Sequence, residues 1–176
     1  MVPNIIVSVS GLPKSGKTHL AMTFPDPIKV FSFDNRADYV RQKFPDKKID
    51  IVACQMPIVE SDTDASWAPP IWNAFYKEYK VAVESGEYQT VVIDTASTVY
   101  TVLNQTVFEW LREEAAGLGR EKKKLAVNDY YTRNLLMKSI FDLAKNKGVN
   151  LVVTQYLGEK WETPPGEKMA KPTGVL

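Results

Sequence analysis

The chain has one histidine, His19, and one cysteine, Cys54, among 176 residues. A single histidine excludes His-dependent catalytic triads and His-rich metal sites. A single cysteine excludes a disulfide framework within the chain and a cysteine-based zinc site. Cys54 lies in the apolar run IDIVAC, where a reduced, buried thiol is expected. No apolar run approaches the ~20 residues that a membrane span requires, and the N-terminus lacks a basic-then-apolar signal pattern. A cytoplasmic protein without a membrane partner is the expectation. Neither sign of charge dominates, with 22 Lys and Arg against 21 Asp and Glu. Any nucleic-acid site therefore has to be local, because no global field would draw a polyanion.

What is present is ordinary for one globular domain: 44% hydrophobic, 24% charged and 11% aromatic residues, at a length that buries about 70% of the unfolded surface. Residues 4–10, NIIVSVS, form a short β-branched run that predicts a buried strand. A helix starting near Lys17 is stopped early by Pro25 and Pro27. IKVFSF (28–33) and KIDIVAC (48–54) predict two more strands, with a short helix in RADYVRQKF between them. Residues 57–70 read as a polar, Pro-flanked loop, and 71–86 as a helix. YQTVVID (88–94) shows almost no alternation and predicts a strand buried on both faces. Val99, Leu103, Val107 and Leu111 stripe a helix over 96–111. The pattern breaks over 112–128. A long helix follows from Asp129, its expected cap, and then a C-cap glycine and a fifth strand in KGVNLVVTQY. Residues 157–176 have no periodicity and read as an irregular segment, either a contact loop or a truncated end. The division expected is a nucleotide-binding core over 1–156 and this segment over 157–176. Strands alternating with helices predict an α/β fold with a mainly parallel central sheet.

Gly11 to Thr18, GLPKSGKT, matches G-x-x-x-x-G-K-[ST] at every fixed position, after a strand and at the start of a helix. Glycines let successive N–H groups converge on phosphate oxygens. Lys17 is expected to reach the β- and γ-phosphates, and the Thr18 hydroxyl to bind Mg²⁺. The nucleotide-contacting set is Gly11, Pro13, Lys14, Ser15, Gly16, Lys17, Thr18 and His19. His19 faces solvent or packs on a neighbour. Asp94 ends the apolar strand TVVID, where open α/β sheets bind ligands, and is the second expected Mg²⁺ ligand. A switch GTPase is disfavoured: NKGV (146–149) lacks the acid of N-K-x-D, and DTAS (94–97) lacks the glycine of D-x-x-G.

GLPKSGKT, FSFDN, VVIDTASTVY, NDYYTRNLLMKSIFDLA and NLVVTQY together resemble the core of RecA-like P-loop ATPases over about residues 4–160. More narrowly, they are similar to phage nucleotide-binding proteins of the single-strand annealing and recombination class. The resemblance implies a three-layer fold with the last strand inserted between the phosphate-loop strand and the Asp94 strand. It implies a catalytic set of Lys17, Asp34 and Asp94, with Asp34 either the base for the attacking water or a turn acid capping NRADYV. Where the family carries a glutamate, this chain has Arg36. Thr154 or Gln155 takes the place of the γ-phosphate sensor, Gln155 being counted with the nucleotide contacts. Lys160, Trp161, Lys168 and Lys171 stand where the family can touch single-stranded DNA, a chemistry suited to an aromatic among cations. Arg120 with Lys122, Lys123 and Lys124 is the other basic candidate. The implied function is Mg²⁺-dependent ATP hydrolysis by a homo-oligomer, coupled to single-stranded DNA recombination or replication. A phosphotransferase acting on a small molecule and a nucleotide-gated binding module with weak hydrolysis are the alternatives.

Overall fold

The computed structural model describes residues 4–58, 64–162 and 171–175. Five parallel strands make the central sheet: β1 (Ile6–Gly11), β2 (Ile28–Ser32), β3 (Ile49–Ala53), β4 (Thr90–Asp94) and β5 (Asn150–Tyr156). Their order is β1-β5-β4-β2-β3, so the last of the five does lie between β1 and β4. β4 is buried along its whole length, as its unbroken apolar run requires. β1 is not a buried strand. Among the described residues it pairs only with β5, and its side chains are exposed or half-buried, Ile6 among them. Its β-branched run reflects strand propensity rather than burial on two faces.

Helices cover both faces of the sheet, giving three layers. On one side α3 (Ala68–Glu84), α4 (Ala96–Gly117) and α5 (Tyr130–Lys147) pack on Phe31, Val91, Ile93, Leu151 and Val153. On the other, Ala21 and Met22 from α1 (Lys17–Ala21) and its end, with Ala37 from α2 (Ala37–Arg41), pack on Ile28, Val30, Val92 and Val152. The alternation of Val91 and Ile93 with Val92 between the two cores is the period-two geometry of a strand covered twice. α1 is only five residues long, and its end is tied down from a distance. Lys47 Nζ donates to the carbonyls of Met22, Thr23 and Phe24 at 3.0, 2.9 and 2.6 Å.

Several boundaries differ from the sequence expectation. Pro69 and Pro70 belong to the first turn of α3, where a missing N–H costs nothing. α4 continues to Gly117, past the end of its apolar stripe. Asp129 precedes α5 without capping it. Its carboxylate accepts from Ala126 N at 2.6 Å and pairs with Lys122 at 2.7 Å, so it holds the preceding turn. Gly148 does close α5, at φ 72°. The segment after β5 is not wholly irregular: β6 (Glu159–Glu162) pairs antiparallel with β7 (Lys171–Val175). The proline and glycine residues that suggested an unstructured end lie largely between and within these strands.

Cys54 is buried, and burial, with the charge of Glu78, pushes its thiol up to about 12, so it stays protonated. Tyr79 is fully buried in the larger core and donates to Ile140 O at 2.6 Å, joining α3 to α5. Replacing it by Phe removes this bond and leaves the ring packing intact. The expected cost is about 1 kcal/mol, a fall in Tm of about 2–4 °C for a domain of this size, measurable by thermal denaturation followed by circular dichroism.

Candidate nucleotide site

The loop between β1 and α1 has its shape because of two glycines. A Cβ on Gly11 would stand 2.6 Å from Ser15 Oγ, so a side chain there would force the Ser15 hydroxyl to turn away. Gly16 has open space but φ 86°, a conformation costly for other residues. Lys14 is also left-handed, at φ 64°. Left-handed residues flanking Ser15 turn backbone N–H groups toward one concavity, the arrangement that collects anions. The brevity of α1 limits the contribution of a helix dipole, so the loop amides and Lys17 are the main positive groups.

Lys17 is 8% exposed, and its ammonium donates to Gly11 O at 2.9 Å and Leu12 O at 2.8 Å. The same ammonium sits 4.7 Å from the centroid of the Tyr156 ring. Thr18 Oγ1 donates to Asp94 Oδ2 at 2.7 Å, and Thr154 Oγ1 donates to Asp94 Oδ1. Asp94, 1% exposed, is therefore held from both sides. Burial raises its pKa, opposed by the bonds from Thr154 and Thr18 and by the charge of Lys17. Asp34 follows β2 and accepts from Arg36 N at 3.2 Å. The strand ends are pinned together by Phe33 N donating to Asp94 O at 2.6 Å.

These groups line one cavity of about 430 Å³ at the carboxyl ends of the strands, within the size range of small-molecule sites. Lys14, Ser15, Gly16, Lys17, Thr18, His19, Asp34 and Asp94 all border it, and so does Arg36. His19 also packs on Phe44, with ring centroids 4.8 Å apart. Gly11 shapes the loop from behind, through the carbonyl that Lys17 takes, and Pro13 is exposed outside the cavity lining. Gln155 is corrected by strand geometry. Successive side chains on β5 point to opposite faces, so Thr154 faces Asp94 while Gln155 donates to Ser8 Oγ on the other face, away from the loop. The same alternation brings Tyr156 into the cavity. It has a site position that the motif search passes over and that period two would have found. Lys160 and Trp161 stand on β6, and Lys171 on β7 opposite Glu162. Lys168 lies outside the described residues. Lys122 pairs with Asp129 and Lys123 with Glu121, so half of the other basic run is already neutralised.

The donor set fits magnesium. Among the described residues no three His, Cys, Asp or Glu side chains cluster as a metal cage, and magnesium carried on phosphates does not need one. Thr18 and Asp94 supply hard oxygens. Ser32, in register with Asp94 and so on the same face, has a buried Oγ without a hydrogen-bond partner, a further hard oxygen beside Asp94.

Because Asp94 keeps its proton in the folded state to a higher pH than in the unfolded chain, stability falls as pH rises through the window above 3.8. Asp94→Asn removes that loss. The variant is expected to melt higher than the wild type near neutral pH, while its Mg²⁺-dependent nucleotide binding falls. Paired melting curves at two pH values and titrations with and without Mg²⁺ check both halves.

Against known proteins, a family described as AAA domain matches residues 4–174. No curated protein matches the chain.

Proposed function

The chain belongs to the AAA-domain family of P-loop ATPases, and from that premise we propose that it binds ATP with Mg²⁺ in the cavity under the Gly11–Thr18 loop and hydrolyses it. The observation that carries the reading is the convergence of Lys17, Thr18, Asp94 and Asp34 on one cavity from three separate strand ends. Lys17 takes the charge of the terminal phosphates from its place beside the loop carbonyls of Gly11 and Leu12. Thr18 and Asp94 hold the magnesium, which offsets charge on the phosphates. Asp34, a second carboxylate lining the same cavity, orients the attacking water or accepts its proton. ADP and phosphate are the products.

The finer reading couples this hydrolysis to single-stranded DNA in a phage-type recombination or replication protein. Its support is the resemblance together with Lys160, Trp161 and Lys171 standing on a hairpin that begins two residues after β5. Assembly of several copies would let a neighbour supply the further positive charge that such sites use. A second reading, a nucleotide-gated binding module with slow hydrolysis, is favoured by one observation: Arg36 lines the cavity where the resembled family has a glutamate.

The test is phosphate release from ATP and Mg²⁺, with and without single-stranded DNA. Stimulation by DNA supports the coupled ATPase, and tight binding without release supports the module. Loss of ATP without free phosphate, dependent on an added metabolite, would replace both with a phosphotransferase. Lys17→Ala is expected to lower turnover by at least 10²-fold with its melting temperature within a few degrees of wild type, since the lysine's partners are loop carbonyls at the cavity rim rather than core groups. Turnover equal to wild type would sink the site.

A further inference from the structure

Tyr156 lines the cavity and lies against its lysine. It ends β5 in register with Gly11, and its backbone N–H donates to Ser97 Oγ at 3.0 Å, which fixes where the side chain leaves the strand. The ring lies over Lys17 Nζ at 4.7 Å. Burial raises the pKa of the phenol, and the negative charges of Asp34 and Asp94 in the same cavity raise it further, against that of Arg36. The residue is 37% exposed, so the core does not need it in place.

Three acceptors therefore occupy one ammonium: Gly11 O, Leu12 O and the face of an aromatic ring. An ammonium has three protons to donate. A phosphate that recruits Lys17 has to displace at least one of these partners. The carbonyls belong to the loop itself and stay near the lysine in any case, whereas the ring is carried by a different strand.

We infer that Tyr156 is a positioning residue for the phosphate site, its ring competing with the terminal phosphates for Lys17. This inference rests on the phosphate-loop reading above. Arrival of a nucleoside triphosphate breaks the ring's contact with Lys17. Tyr156 is separated from β6 by only Leu157 and Gly158, so its displacement is passed to the hairpin by two residues of chain. The competition sets nucleotide affinity below what the loop alone would give.

The experiment is the Kd for ATP with Mg²⁺ in the wild type, Tyr156→Phe, Tyr156→Leu, Tyr156→Gln and Lys17→Ala, with circular dichroism to show that each is folded. Removing the ring in the Leu and Gln variants is expected to tighten binding about two- to fivefold, the size of a cation–π contact at a partly exposed site. Tyr156→Phe keeps the ring and is expected to bind as the wild type does. A structural role would weaken binding in the Leu and Gln variants, and that result overturns the inference. So does tightening in Tyr156→Phe equal to that in Tyr156→Leu, or no change in any variant. Wild-type binding that Lys17→Ala abolishes while the Tyr156 variants stay level overturns this inference alone. A wild type that binds no ATP removes the phosphate-loop reading and this one with it.

Discussion

The site depends on one buried carboxylate. Asp94 stands at the end of a strand covered on both faces, where an ionised group is costly unless it is compensated. Thr18 and Thr154 supply that compensation from the two sides. The consequence is geometric as well as energetic. A hydroxyl from α1 and a hydroxyl from β5 can both reach Asp94 only if β5 lies next to β4 and α1 lies across the strand ends. The strand order and the seat of the loop thus bring together the partners that one buried charge requires. Burying Asp94 with two hydroxyls rather than a cation leaves its negative charge unneutralised in the folded protein, which is the condition for taking a divalent ion.

The rest of the cavity is arranged as opposed charges kept apart. Lys17 turns back on its own loop, and Asp34 is engaged by its own turn through Arg36 N. Each is held by a local partner that a ligand can replace without unfolding anything. The core supplies rigidity from the opposite face, where Phe31, Phe33, Phe75 and Tyr79 pack edge-to-face and tilted at centroid distances of 5.3–6.1 Å. The functional face is polar and adjustable, and the structural face is aromatic and fixed.

The phosphate loop, β4 and Asp94 were legible in the sequence because each fixed residue answers to its own physical requirement: Gly11 to a close approach, Gly16 to a left-handed φ, Asp94 to the end of an apolar strand. The parallel α/β class followed from the alternation of strand and helix patterns. Edge position was not legible in NIIVSVS, since β-branched residues favour a strand wherever it lies in a sheet. Neither was the hairpin after β5, whose pairing is between residues nine or more apart with many turn formers among them. Gln155 was misplaced for a different reason. Its amide looks more like a sensor than a tyrosine does, but face is decided by parity along the strand, and parity favours Thr154 and Tyr156.

Lys47 gives the short α1 a property that its length would deny it. A five-residue helix at the end of a mobile loop ought to unwind when its first turn is pulled. Here one ammonium grips the three carbonyls that follow the helix, from the turn that leads into β3. The short helix is thereby closed from outside its own sequence, its end bonded to a residue two before β3 as well as to its own last turn.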